Sequence, residues 1–103
     1  MNLAKMMKQA QDMQSNMAAL QTELAARTVD VSVAGKVQVT ANGAGDVLSI
    51  RIDPSVVRGD DVEMLEDLVL TAVRQAIGKG REMAAAEMKK ITAGMGLPPG
   101  LGF

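Results

Sequence analysis

One unbroken helical pattern, residues 60–91 (DDVEMLEDLVLTAVRQAIGKGREMAAAEMKKI), limits what this chain can fold into more than any other stretch. It opens on acidic residues, contains no proline and repeats apolar side chains at helical spacing, which predicts a single long helix. Its 32 residues would span roughly 48 Å at about 1.5 Å per residue. A compact domain of about 100 residues has a radius of gyration near 13 Å and a width of about 35 Å. Such a helix overshoots its own domain. It must either break at Gly78 and Gly80 or project, and the expectation is projection with some bending at those glycines.

Charge is sorted along this helix. Residues 60–73 carry Asp60, Asp61, Glu63, Glu66 and Asp67 with no base, a charge of −5. Residues 74–103 carry Arg74, Lys79, Arg81, Lys89 and Lys90 against Glu82 and Glu87, a charge of +3. The front half is apolar on more than one side, with Val62, Leu65, Val69, Ala72 and Ala76 in one stripe and Met64, Leu68, Val73 and Ile77 off it. A helix of that kind needs cover on two sides, whereas the back half reads as an arm.

The first helix is expected over residues 3–27. Leu3, Met6, Ala10, Met13, Met17, Leu20 and Leu24 recur at alternating steps of three and four, a heptad seam. Lys5 and Lys8 share an exposed face, where Asp12 can pair with Lys8. Residues 29–53 then switch to a period of two: Val29, Val31 and Val33; Val37, Val39 and Ala41; Leu48, Ile50 and Ile52. Ala34-Gly35 and Asn42-Gly43 are the turn signals between them. The predicted fold is α+β, in the order α-β-β-β-α: a long N-terminal helix, a three-stranded antiparallel meander and a long C-terminal helix. One sheet face needs helical cover. Val47 falls on the polar face of this pattern without explanation. Asp53-Pro54-Ser55 ends the third strand, and Asp60 is placed to cap the second helix, with Glu63 completing a capping box. Residues 1–93 form one domain, followed over 94–103 by a Gly/Pro-rich tail, GMGLPPGLGF, expected to be flexible.

Composition narrows the chemistry. A chain of 103 residues, 48% hydrophobic, supports one domain with a modest core. No apolar run reaches the roughly 18 residues of a membrane span, and MNLAKMMKQAQ lacks the apolar core of a secretory signal, so a cytoplasmic protein is expected. Histidine, cysteine, tryptophan and tyrosine are all absent, and Phe103 is the single aromatic residue. Imidazole acid–base catalysis, thiol nucleophiles, thiolate or imidazole metal sites and aromatic stacking platforms are thereby excluded. The expectation is a protein that is not an enzyme and has no cofactor or small-molecule substrate. Nine methionines serve as adaptable filler. The five acids between Asp60 and Asp67 lack the alternating spacing of a calcium loop and suit a helix N-terminus, so no metal site is expected. Gly43-Ala44-Gly45 and Gly78-Lys79-Gly80 are fragments of phosphate-binding loops in the wrong context.

At 100° per residue, Arg74, Arg81 and Lys89 fall within about an 80° arc, with the small Gly78 and Ala85 between them. Such a row can neutralise a phosphate backbone by counterion release. Bases near a helix C-terminus also complement its dipole, and the charge pattern alone does not separate the two.

The chain resembles the YbaB/EbfC family of bacterial nucleoid-associated proteins. The matching segments are LAKMMKQAQDMQSNM, VQVTANG, IRIDPSV, DVEMLEDLVLTAVRQAI and GMGLPPGLG, and it is the order of IDP, LEDLV and the Gly/Pro tail that carries the specificity. The resemblance implies a homodimer located in the nucleoid, whose paired helices project like tweezers. It would bind double-stranded DNA without a cofactor and alter its conformation, with consequences for gene expression. It places the dimer core on Met64, Leu65, Leu68, Val69, Ala72 and Val73, and DNA contact on Lys5, Lys8, Arg74, Arg81, Lys89 and Lys90. The rival is a homodimeric adaptor whose methionine-rich prongs grip a partner helix without DNA.

Overall fold

Asn2 starts the first helix, its Oδ1 accepting the Ala4 backbone N–H at 3.0 Å. From there the structure, a computed structural model that describes residues 2–94, runs through α1 (Leu3–Ala26), β1 (Thr28–Val33), β2 (Val37–Asn42) and β3 (Val47–Ile52). A 3₁₀ turn (Pro54–Val56) then leads to α2 (Val62–Gly94). The expected order of elements is the observed one. The 94–103 tail lies outside the described residues except for Gly94, which closes α2.

The three strands form an antiparallel sheet in the order β1-β2-β3. Ala34 (φ 54°) and Gly35 (φ 65°) make the first turn with left-handed backbone at both residues. The second turn is built differently from the expected two-residue Asn-Gly hairpin: its left-handed residue is Gly45 (φ 92°). There the Asn42 Oδ1 accepts N–H donors from Ala44 and Asp46 at 3.0 and 2.9 Å.

A bulge resolves the position of Val47. Thr40 lies opposite Ser49, but Ala41 lies opposite Val47, which leaves Leu48 as an extra residue in β3. One inserted residue reverses the alternation. Val47 therefore shares the inner face with Ala41, as Ile50 does with Val39 and Ile52 with Val37. Leu48, expected on that face, is the bulged residue and is exposed.

Val31, Val37, Val39 and Ala41 form the sheet side of the core, and Ala72 and Ala76 the helix side. Two alanines on the contacting stripe bring the α2 backbone close to the strands. Val29, Val33, Leu65, Leu68, Val69 and Val73 pack around them. The cap of α2 sits one residue later than expected: Asp61 Oδ1 accepts the Met64 N–H at 3.2 Å. Met64 thus takes the third helical position, and Glu63 is out of register for a capping box.

The long helix does not break. It continues through Gly78 and Gly80, and the molecule measures 70 × 23 × 16 Å with a radius of gyration of 19.3 Å. A helix of α2's length spans about 50 Å, so α1 must continue past its end to reach the full dimension.

Candidate nucleic-acid interface

Past the sheet, α2 runs beside the C-terminal half of α1. Leu24 of α1 and Met83 of α2 meet over Gly43, while Asn16, Ala19, Leu20 and Glu23 face Glu87, Lys90 and Ile91 across a shallow groove. The two helices are therefore antiparallel. Leu20 and Leu24 are buried, Met13 and Met17 half-buried, and Leu3 and Met6 exposed, so the seam of α1 loses its cover toward the N-terminus. Together the two helices make one projecting prong.

Glu87 ties the prong together. Its Oε1 accepts from Arg27 Nη1 at 2.7 Å and from Lys90 Nζ at 3.1 Å. The hydrogen bond from Arg27 is the larger cause, and that from Lys90 the next, holding the Glu87 carboxyl below its ordinary value of 4.5. A carboxylate whose pKa is lowered in the fold adds stability above its unfolded pKa and loses that contribution as pH falls through the lowered value. Thermal melts stepped downward from pH 4.5 are expected to show this loss, and Glu87→Gln to flatten that part of the pH profile.

Every expected DNA-contact residue is exposed. Lys5, Lys8, Arg74, Arg81 and Lys89 make no ion pair among the described residues, whereas Lys90 is held by Glu87. Arg74 and Arg81 project from the side of α2 opposite Ala72 and Ala76, away from the sheet. The cations are strung out rather than clustered. Arg74 and Lys89 are about 22 Å apart along α2, and Lys5 and Lys8 lie still further out on α1, on the side turned away from α2, so the set spreads over roughly 40 Å of the prong's length. One turn of duplex covers about 34–36 Å. At the opposite end of the molecule Asp61, Glu63 and Asp67 flank a hollow with Met64, Leu68 and Thr71. No group of acidic side chains among the described residues is arranged to hold a metal ion.

The residues expected in a dimer core divide three ways. Ala72 is wholly inside the chain's own core and has no surface to offer. Met64 and Leu68 lie on the acidic side of α2. Leu65, Val69 and Val73 line an apolar hollow on the other side, with Ile52 and Leu70. That hollow continues onto residues absent from the sequence-based set. The helix covers β1 and β2 but barely reaches β3, so Ile50 (45% exposed), Ile52 and Val47 show their inner faces to solvent beside Leu70 (48% exposed). A helix about 10 Å across covers two strands spaced about 4.8 Å apart and leaves a third bare. That geometry was the available signal for β3.

The sequence profile described as the YbaB/EbfC DNA-binding family matches residues 1–95. A nucleoid-associated protein of Akkermansia muciniphila is 51% identical over 104 residues, covering 100% of both chains. One from Moorella thermoacetica is 51% identical over 98 residues, covering 94% of each. Among solved structures, the uncharacterized protein HP0035 of Helicobacter pylori superimposes with a TM-score of 0.69 at 20% identity, covering 92% of this chain and 97% of that one.

Proposed function

The chain belongs to the YbaB/EbfC DNA-binding family, and on that premise we propose that two copies of it grip duplex DNA through the basic residues of their prongs and alter its conformation in the bacterial nucleoid. The observation that carries this reading is that unpaired, exposed cations are spread along both helices of the prong over a length comparable to one turn of duplex. Long bases on a rigid helix position a protein on phosphates without reading sequence. The −5 segment at the sheet end repels the same polyanion and leaves the prongs as the place of contact. The absence of histidine, cysteine and tyrosine from the chain favours a binding role over an enzymatic one.

The second copy is assigned to the bare side of β3. Val47, Ile50, Ile52 and Leu70 form a contiguous apolar surface with the hollow beside α2, and such a surface on a small protein marks an interaction site. Covering large aliphatic side chains there contributes roughly 1.5–3 kcal/mol each. Arg81, Lys89, Lys5 and Lys8 lie farther along the prong than this surface, whereas Arg74, one turn after Leu70, borders it.

Fluorescence anisotropy with a labelled duplex across a salt series tests the function. The expected result is binding at 50 mM salt that weakens by about 10³–10⁵ at 200 mM, as for a protein with several phosphate contacts. Absence of DNA binding at low salt, or salt-insensitive capture of a protein helix by the same prongs, would replace this reading with the adaptor.

A further inference from the structure

We propose that the contact of Gly80 with the Asn42-Gly43 turn is the fulcrum that aims the prong, which makes Gly80 and Asn42 positioning residues for DNA binding. The proposal rests on the reading that the prong is what contacts DNA. Gly80 is buried in the middle of α2, where the helix leaves the sheet. A Cβ built there would collide with the Asn42 carbonyl oxygen, a backbone atom that cannot turn aside. Only glycine permits this approach. Gly43 is packed as closely from the other side: a Cβ there would lie 2.8 Å from Leu24 Cδ2 and 2.9 Å from Met83 Cε, one side chain from each helix of the prong.

The same turn holds α1. Gly43 N–H donates to the Leu24 carbonyl at 2.9 Å and the Arg27 carbonyl at 3.1 Å. Asn42, 3% exposed, donates from Nδ2 to the Ala25 carbonyl at 3.2 Å. The end of α1, the middle of α2 and the sheet thus meet at two residues of one turn. Everything beyond is lever. Fourteen residues of α2 follow Gly80, about 21 Å of helix, and α1 extends about 32 Å from Leu24 to Leu3. If Ala76 stays seated on the sheet, about 6 Å before Gly80, a shift of roughly 1 Å at Gly80 tilts α2 by about 10° and moves its end by about 4 Å. Phosphate contacts at hydrogen-bonding distance do not survive a displacement of that size.

Gly78 supplies the control, because nothing lies within 4 Å of a Cβ built there. The chain has no cysteine. Full-length protein carrying Ser15→Cys on α1 and Ser49→Cys on β3 therefore takes one spin label on the prong and one on the sheet, diluted in unlabelled protein for distance measurement. Gly80→Ala is expected to shift that distance by several ångströms and weaken binding of a duplex at least tenfold, with helix content unchanged. Gly78→Ala is expected to leave the distance at its parental value. A Gly80→Ala protein with the parental distance and affinity would overturn the proposal. Should Gly80→Ala fail to fold, Asn42→Asp decides. It keeps the backbone carbonyl and both acceptor bonds but loses the donor to Ala25, so the same shift is expected, and an unchanged distance overturns the proposal. If the parent does not bind DNA at 50 mM salt, the DNA reading fails, while the distance still reports whether the fulcrum sets the prong.

Discussion

Ile50→Glu combined with Leu70→Glu is expected to turn a species of twice 10.8 kDa into a single chain of that mass, measured by size exclusion with light scattering. Both residues are about half exposed on one protomer and border the hollow beside α2. In a two-fold interface each copy brings the same patch, so the double variant places four carboxylates where the parent has aliphatic groups. Removing an ionised carboxylate from water costs several kcal/mol even after relaxation. The protomer keeps its own core of Val31, Val37, Val39, Ala41, Ala72 and Ala76, none of which is altered. DNA binding is expected to fall with loss of the proposed dimer, because two linked prongs gain roughly 10²–10⁴ in affinity over one. A double variant that remains a dimer with parental DNA affinity would move the partner surface elsewhere.

Alanine at Arg74, Arg81 and Lys89 together has the second large expected effect. The proposed dimer would lose six cations. At about 0.9 in the salt exponent per phosphate contact, the slope of log K against log salt should flatten by up to about 5. Affinity at 50 mM salt should drop by orders of magnitude, about equally for unrelated duplex sequences, since backbone contacts carry no base information. Stability should not change, because none of the three makes an ion pair among the described residues. Lys90→Ala should cost less DNA affinity, its ammonium being engaged with Glu87 at 3.1 Å. A triple variant that loses binding to one sequence and not to others would indicate base readout instead.

Much of this architecture was legible because the chain changes period where it changes structure. Steps of three and four along Leu3 to Leu24 mark α1, alternation from Val29 to Ile52 marks the sheet, and residues too numerous for a 35 Å domain mark a projecting helix. The 70 Å length follows from that excess. Single-residue features were not legible. Alternation cannot locate the bulge that moves Val47 onto the inner face, since a reader counting by two has no sign of the extra residue. Nor can it tell that a sheet face which needs cover receives it only over β1 and β2. Gly80 reads in sequence as a weak point of the helix, and only the path of α2 across the Asn42 carbonyl reveals a close approach. For the candidate site, residue type and helical angle pointed to the cations. Which of them is engaged depends on Arg27 and Glu87, brought together across 60 positions of sequence.

The most direct measurement is the mass of the complex with a duplex of about three helical turns, by light scattering at 50 mM and then 200 mM salt. Two chains bound together on one duplex at the lower salt, released at the higher, is the predicted result. A duplex that stays bare at 50 mM salt, or that carries chains singly, would contradict a dimer that holds DNA by its backbone.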